Sequence, residues 1–353
     1  MADTDDDDFK ERRHFASVVQ AFLRYGAWAA ARIDRIEADY RRLSVAHQRL
    51  LKIDEKVHRM RHAVQQNMEL IERMVGPHRS HVGALEEENL ANASLSHVSE
   101  SDMDKVQSTL KQFVREWGAE GAKEREAAQA PLLDALERAA PGGAVRGMRV
   151  LVPGSGLGRL AWEVARRGFQ AQASEFSYFM LIASNFILNN LQPHGTISMH
   201  PWVLQTCNVK SLDDQVRACA VPDVEPWSLP LAANLSMCAG DFLEVYREHH
   251  AQWEVLLSQF FIDTAHNIVE YIDAIRRLLV PGGAWVNFGP LLWHFTDMRS
   301  EVSVDLTWAE VRTLITDAGF ILEHEAWHRC PYVRNVRSMY MMEYDCICFI
   351  ARW

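Results

Sequence analysis

Apolar residues recur every three or four positions from His14 to about Val75: Phe15, Val18, Val19, Phe22 and Leu23, then Ile33, Ile36 and Tyr40, then Leu50, Leu51, Val57, Met60, Val64, Met68, Ile71 and Met74. That spacing lays one apolar stripe along each of several helices. It predicts a helical N-terminal module and linker over 14–100, behind an acidic tip at 1–13 expected to be disordered. The stretch from Pro77 to about Ser101, rich in His, Ser, Asn and Glu without a period, reads as the linker. Ser101 with Asp102 and Asp104 reads as an N-cap and acidic first turn for a helix through Leu110, Phe113, Val114 and Trp117. A second helix over about 122–139 then leads through Pro141-Gly-Gly143 into a strand.

From residue 150 onward the pattern changes to short apolar runs separated by helical stretches. Strands are predicted at Val150–Val152, before Glu175, at Ser236–Asp241, Trp253–Ile262, Ala284–Gly289, Phe320–Trp327 and Tyr344–Trp353. Helices are expected at Tyr178–Leu191, Ile268–Leu279 and about Thr307–Ala318. Alternating strands and helices with a hairpin-like end predict an α/β, Rossmann-like, doubly wound sheet of seven strands. It should be parallel except for one strand, the class I methyltransferase arrangement, over 101–353. The interruption at 192–235 carries Pro193, Pro201, Pro222, Pro226 and Pro230 and is expected to form a lid or substrate wall.

The first strand runs into Gly154-Ser-Gly156-Leu-Gly158 and a helix. Glycines at alternate positions let the main chain approach a ligand closely and adopt positive φ, and the following helix N-terminus offers N–H groups to it. The spacing is G-x-G-x-G rather than G-x-G-x-x-G, and Glu175 stands at the end of the next strand, where a carboxylate can accept ribose hydroxyls. A tight turn alone would account for the glycines. Together with Glu175 they favour a nucleoside cofactor, S-adenosylmethionine ahead of NAD.

Charge and cysteine usage narrow the partners. With 37 Lys and Arg against 47 Asp and Glu, the 353-residue chain has a formal net charge of −10, which argues against a nucleic-acid substrate. The six cysteines form no C-x-x-C pair, and the start Met-Ala-Asp-Thr-Asp resembles no secretion signal. No apolar run reaches the roughly 20 residues of a membrane helix. A cytoplasmic or nuclear protein with neither membrane nor nucleic-acid partners is expected, and its amphipathic helical module could serve a homodimer contact.

Ligands of open α/β sheets sit beyond the carboxyl ends of the strands, so Gly154, Glu175, Asp241, Asp263 and His294 should face one cleft. Asp263 can be read equally as the N-cap of the helix that follows it. His266 and His294, taken singly, suit structural roles. No metal is expected, since His78/His81 and His249/His250 lack a thiolate or carboxylate set at ligand spacing. Three tyrosines, Tyr332, Tyr340 and Tyr344, could wall a pocket for a flat, partly polar ring.

Several longer stretches then resemble one family, the carnosine N-methyltransferases. They include Ala21-Phe-Leu-Arg-Tyr-Gly26, Ser108-Thr-Leu-Lys-Gln-Phe-Val-Arg115, Val150–Ala165, Phe260-Phe-Ile-Asp-Thr-Ala-His-Asn267, Gly289-Pro-Leu-Leu-Trp-His294-Phe and Tyr344. The resemblance implies methyl transfer from S-adenosylmethionine, leaving S-adenosylhomocysteine, to an imidazole nitrogen of carnosine or a related histidine dipeptide. By position it implies that Gln112, Arg115, Gly154, Gly156, Glu175, Asp241 and Tyr271 hold the cofactor. It implies likewise that Asp263, His294, Tyr332 and Tyr344 hold the substrate, with Asp263, His294 and Tyr344 serving the chemistry. Met341-Met-Glu343 departs from the family, which has tyrosines there. Two other readings stay open: a protein-histidine methyltransferase, and a silent cofactor-binding scaffold.

Overall fold

The structure, a computed structural model, describes residues 2–83, 99–140, 147–230 and 233–353. Most of the expected linker and the Pro141-Gly-Gly143 turn lie outside the described residues. In chain order the helices are α1 (Ala2–Arg41), α2 (Val45–Leu51), α3 (Ile53–Val75), α4 (Glu100–Trp117), α5 (Ala122–Ala139), α6 (Arg159–Arg166), α7 (Tyr178–Asn185), α8 (Leu212–Gln215), α9 (Phe242–Val245), α10 (Ile268–Leu278) and α11 (Trp308–Asp317). The strands are β1 (Arg149–Pro153), β2 (Gln170–Glu175), β3 (Ile197–Met199), β4 (Cys219–Val221), β5 (Asn234–Ala239), β6 (Trp253–Gln259), β7 (Leu279–Gly289), β8 (Ile321–Pro331) and β9 (Glu343–Arg352).

Two compact units emerge. One comprises residues 1–120, 185–223 and 335–341; the other comprises 121–184, 224–334 and 342–353. The first therefore takes α4 and much of the 192–235 stretch, which were expected to belong with the sheet domain. That stretch is not structureless: it forms the antiparallel pair β3–β4 and the short α8, and it buries Met199, Trp202, Val203 and Leu204. Apolar residues among the prolines gave it a core to join. The acidic residues at 3–8, expected to be disordered, fall within α1.

Within the first unit α1 and α3 approach closely at Gly26, where an added Cβ would stand 2.9 Å from Met68 Cγ. Asn67, fully buried, donates to Tyr25 Oη (3.1 Å) and to the His200 carbonyl (3.0 Å), and it accepts from His200 N–H (2.7 Å). One side chain thus stitches two helices to the 185–223 segment. Helix α4 begins one turn-residue pair earlier than expected, because Ser99 and Asp102 form a reciprocal capping box in which Ser99, not Ser101, is the cap.

The second unit holds a seven-stranded sheet in the order β5-β2-β1-β6-β7-β9-β8. Counting only its own strands, that is 3-2-1-4-5-7-6, with β9 antiparallel to both neighbours and the remaining ladders parallel. Buried residues alternate across it. Val150, Val152, Val255, Leu257, Val286 and Ile350 face α5 and α6, whereas Leu151, Leu256, Trp285, Ile347 and Phe349 face α10 and α11. Both faces are covered, as a parallel sheet requires. The expected Rossmann-like class I topology is present.

Candidate active site

The carboxyl edge of the sheet gathers most of the residues singled out from the sequence. Beyond β1, Gly154, Gly156 and Gly158 all have positive φ (62°, 56° and 81°). At Gly154 the need for glycine is doubled, since an added Cβ would meet Phe261 Cδ2 at 2.7 Å. Gly158 is the N-cap of α6, in the left-handed conformation.

Glu175, at the end of β2, organises this turn. Its Oε2 accepts from Gly156 N–H (2.8 Å), and its Oε1 accepts from Phe176 N–H (3.0 Å) and Ser177 N–H (2.9 Å). Three amides hold the carboxylate in one orientation, each a charge-assisted bond. Asp241, following β5, caps α9: its Oδ1 accepts from Leu243 N–H (2.8 Å) and Glu244 N–H (3.2 Å). Tyr271 on α10 stacks on Phe261 (4.9 Å between ring centres, 16°), meets the edge of Phe242 (5.3 Å), and lies 3.4 Å from Thr264 Oγ1. Burial foremost, and the negative charge of Asp241, push its phenol up, against the Thr264 hydroxyl.

Asp263 follows β6 in a single 3-10 turn and is 1% exposed. It does not cap α10; Asn267 does, its side chain accepting from Val269 N–H at 3.1 Å. With that alternative gone, the bonds of Asp263 point to the β7 side. Its Oδ2 accepts from Leu292 N–H (2.9 Å) and its backbone carbonyl from His294 N–H (3.0 Å). Its Oδ1 is buried and has no hydrogen-bond partner among the described residues. Burial foremost pushes its carboxyl up, opposed by the Leu292 N–H and the His294 imidazole. Only one other buried side-chain oxygen shares this condition among the described residues, Ser155 Oγ inside the glycine turn. A buried acceptor without a donor costs about 1–3 kcal/mol, so such atoms single out places where a ligand can complete the bonding.

The loop after β7 is strapped down around Asp263. Val304 N–H donates to the His266 carbonyl (3.0 Å), His266 Nδ1 meets the Val302 carbonyl (2.9 Å), and Trp293 Nε1 donates to the Leu306 carbonyl (3.0 Å). His266 also stacks on Phe295. His294 itself is exposed, and Trp293 before it has φ +45°. Phe260, with φ +51°, is held by its N–H to the Phe288 carbonyl (2.9 Å) and passes under Gly289, where a Cβ would come within 3.1 Å of its nitrogen. Left-handed backbone at bulky residues costs of order 1–3 kcal/mol and gathers where function demands it.

Phe260 and Phe261, whose roles no sequence pattern reveals, separate in the structure. Phe261 turns to Tyr271 and the glycine turn, while Phe260 packs its ring 5.1 Å from Tyr332. Tyr332 in turn meets the edge of Tyr344 at 5.5 Å, and Tyr344 Oη donates to Met342 Sδ. Tyr332 and Tyr344 therefore share one aromatic cluster with Phe260, in the same unit as Asp263 and His294. Tyr340 falls in the first unit and is 55% exposed. Gln112 and Arg115 stand on α4, also in the first unit, where Gln112 Nε2 donates to Glu116 Oε1 at 2.6 Å. Among the described residues no group of three or more His, Cys, Asp or Glu side chains is placed to hold a metal ion, and no helix is long and apolar enough to cross a membrane.

Compared with known proteins, residues 92–353 match a family described as carnosine N-methyltransferase. A carnosine N-methyltransferase of Mus musculus is 39% identical over 356 residues, covering 99% of this chain and 88% of its own length. One from Schizosaccharomyces pombe is 36% identical over 353 residues, covering 94% and 93%. Among solved structures, a SAM-dependent methyltransferase from Aquifex aeolicus is 11% identical, covers 70% of this chain and 97% of its own, and superposes with a TM-score of 0.40.

Proposed function

The chain belongs to the carnosine N-methyltransferase family, and from that premise we propose that it methylates an imidazole ring nitrogen of the histidine dipeptide carnosine, giving anserine. Bound at the glycine turn, S-adenosylmethionine supplies an electrophilic methyl group on a sulfonium. Gly154 and Gly156 let the main chain approach that cofactor, Glu175 fixes their turn, and Asp241 and Tyr271 flank it at the neighbouring strand and helix. The match to the cofactor rests on the positive-φ glycine turn at the start of α6 and on the orphaned Ser155 hydroxyl within it.

The acceptor chemistry falls to Asp263. A neutral imidazole has one nitrogen with a free lone pair and one N–H, and only the first can attack a carbon in line. A carboxylate oxygen that takes the N–H selects the tautomer, turns the lone pair away from itself, and opposes the positive charge that grows on the ring. The buried, unpartnered Oδ1 of Asp263 is the observation that carries this reading. Its other oxygen is already fixed by Leu292 N–H, so the carboxylate is pre-oriented. His294 and Tyr344 position the rest of the dipeptide, and Tyr332 lies against the ring's surroundings. No strong general base is needed, because the product imidazolium can rest against Asp263.

The test is mass spectrometry after incubation with isotopically labelled S-adenosylmethionine and a panel of carnosine, homocarnosine, free histidine and His-containing peptides. Methylated carnosine is expected. Labelling of the peptides alone would shift the reading to a protein-histidine methyltransferase, and labelling of nothing would leave a silent scaffold.

A further inference from the structure

Strand β8 ends at Pro331, so the residue after it, Tyr332, is set by whatever holds the turn that follows. That turn is not at rest by itself. Val333 has φ +47°, a conformation that β-branched residues avoid. Two successive N–H groups of the turn, Val333 and Arg334, each donate to Glu124, one to each carboxylate oxygen and both at 2.9 Å. Glu124 lies in the first turn of α5, more than 200 residues away in sequence, and is 4% exposed.

A buried carboxylate is a costly means of packing a helix, since an apolar side chain of the same volume would avoid the desolvation. What a carboxylate does that an apolar group cannot is accept two convergent amides and so stabilise a left-handed turn. The residue immediately before the turn is also tied, with Tyr332 N–H donating to the Met342 carbonyl (3.2 Å). Its ring is thereby set 5.1 Å from Phe260 and 5.5 Å from Tyr344.

We propose that Glu124 is a positioning residue for the acceptor: by clamping the Val333–Arg334 turn it sets the Tyr332 ring, and through that ring the affinity for the histidine dipeptide. This rests on the acceptor reading given above. Glu124 touches none of the reacting atoms, so its removal should act on substrate binding and leave the chemical step and the cofactor alone.

Glu124→Gln keeps the size of the side chain but presents an NH2 to one of the two donating amides. The expected result is a rise of roughly three- to tenfold in KM for carnosine, with kcat, KM for S-adenosylmethionine and S-adenosylhomocysteine affinity within about twofold. In a Tyr332→Ala background the same substitution should change KM by less than about 1.5-fold, because the ring it sets is gone. Val333→Pro, which removes one donated N–H and cannot adopt the left-handed bend, reads the clamp from its other side and should reproduce the KM effect should Glu124→Gln fold poorly. An equal KM effect with and without Tyr332, a parallel fall in kcat and cofactor affinity, or an unchanged KM in both variants would each overturn the proposal while leaving the acceptor reading intact. Wild-type protein inert toward every member of the acceptor panel would overturn both together.

Discussion

Glu175 ends one of the two strands that flank β1 and Asp263 follows the other, and both are carboxylates held by backbone amides. Glu175 has amides on both oxygens and thereby shapes the main chain around it. Asp263 has an amide on one oxygen only, and the other is buried without a partner. The same chemical group is used once as a scaffold for backbone and once, on the reading proposed above, as the partner of the acceptor ring. Both Glu175 oxygens are met by backbone amides, whereas one Asp263 oxygen is met by none of the described residues.

Exchanging each acid for its amide tests this contrast most sharply. Asp263→Asn should keep S-adenosylhomocysteine affinity within about twofold, measured by calorimetry, while lowering kcat by roughly 10²–10³-fold, the scale of removing one transition-state partner. Loss of cofactor binding in that variant would erase the distinction. Glu175→Gln should do the reverse with a smaller effect. An amide cannot accept from Gly156 and from the Phe176–Ser177 pair with both ends, so cofactor affinity should drop about tenfold, while kcat at saturating cofactor stays within a few-fold.

The smallest effect concerns stability against pH. Because burial raises the Asp263 carboxyl, the native protein binds that proton more tightly than the unfolded chain. In the window from the ordinary aspartate value up to the raised one the folded state holds more protons, so this group's contribution to stability is full below that window and is lost as pH rises through it. Asp263→Asn removes the titration. Thermal unfolding from about pH 4 to about pH 7 should therefore show the variant gaining on wild type as pH rises; parallel curves would mean that Asp263 is as comfortable ionised as an aspartate in water.

Much of this sheet was legible because buried parallel strands are written as short apolar runs with small or acidic residues at their ends. Val150–Pro153 before Gly154 and Trp253–Gln259 before Asp263 have that form. The 185–223 segment was not legible, since proline-rich chain that folds onto distant helices carries no period of its own and depends on contacts such as Asn67 with His200. The capping of α10 turned on one residue: Asp263 and Asn267 both suit a cap, and only the backbone path shows that Asn267 takes it. Glu124 left no local signal, because its partners lie at Val333 and Arg334 and its position in a first helical turn is ordinary for an acid. Sequence patterns record what neighbours along the chain do together; a clamp across the fold leaves no period.

The antiparallel β9 has a consequence for how this protein can be altered. Because it runs against its neighbours, its beginning lies where theirs end: Ile347 pairs with Gly289 at the tip of β7, and Tyr344, three residues earlier, reaches past that tip. A strand nearly 190 residues further along the chain than the glycine turn thus delivers its first residues to the same rim as Gly154 and Asp263. It is also hydrogen-bonded on both sides, to β7 and to β8. Exchanging side chains at the start of β9 leaves those ladders in place, whereas shortening the strand would cut β8 off from the sheet. Side chains on this rim can be exchanged without cutting the ladders behind them; the strand itself cannot be shortened.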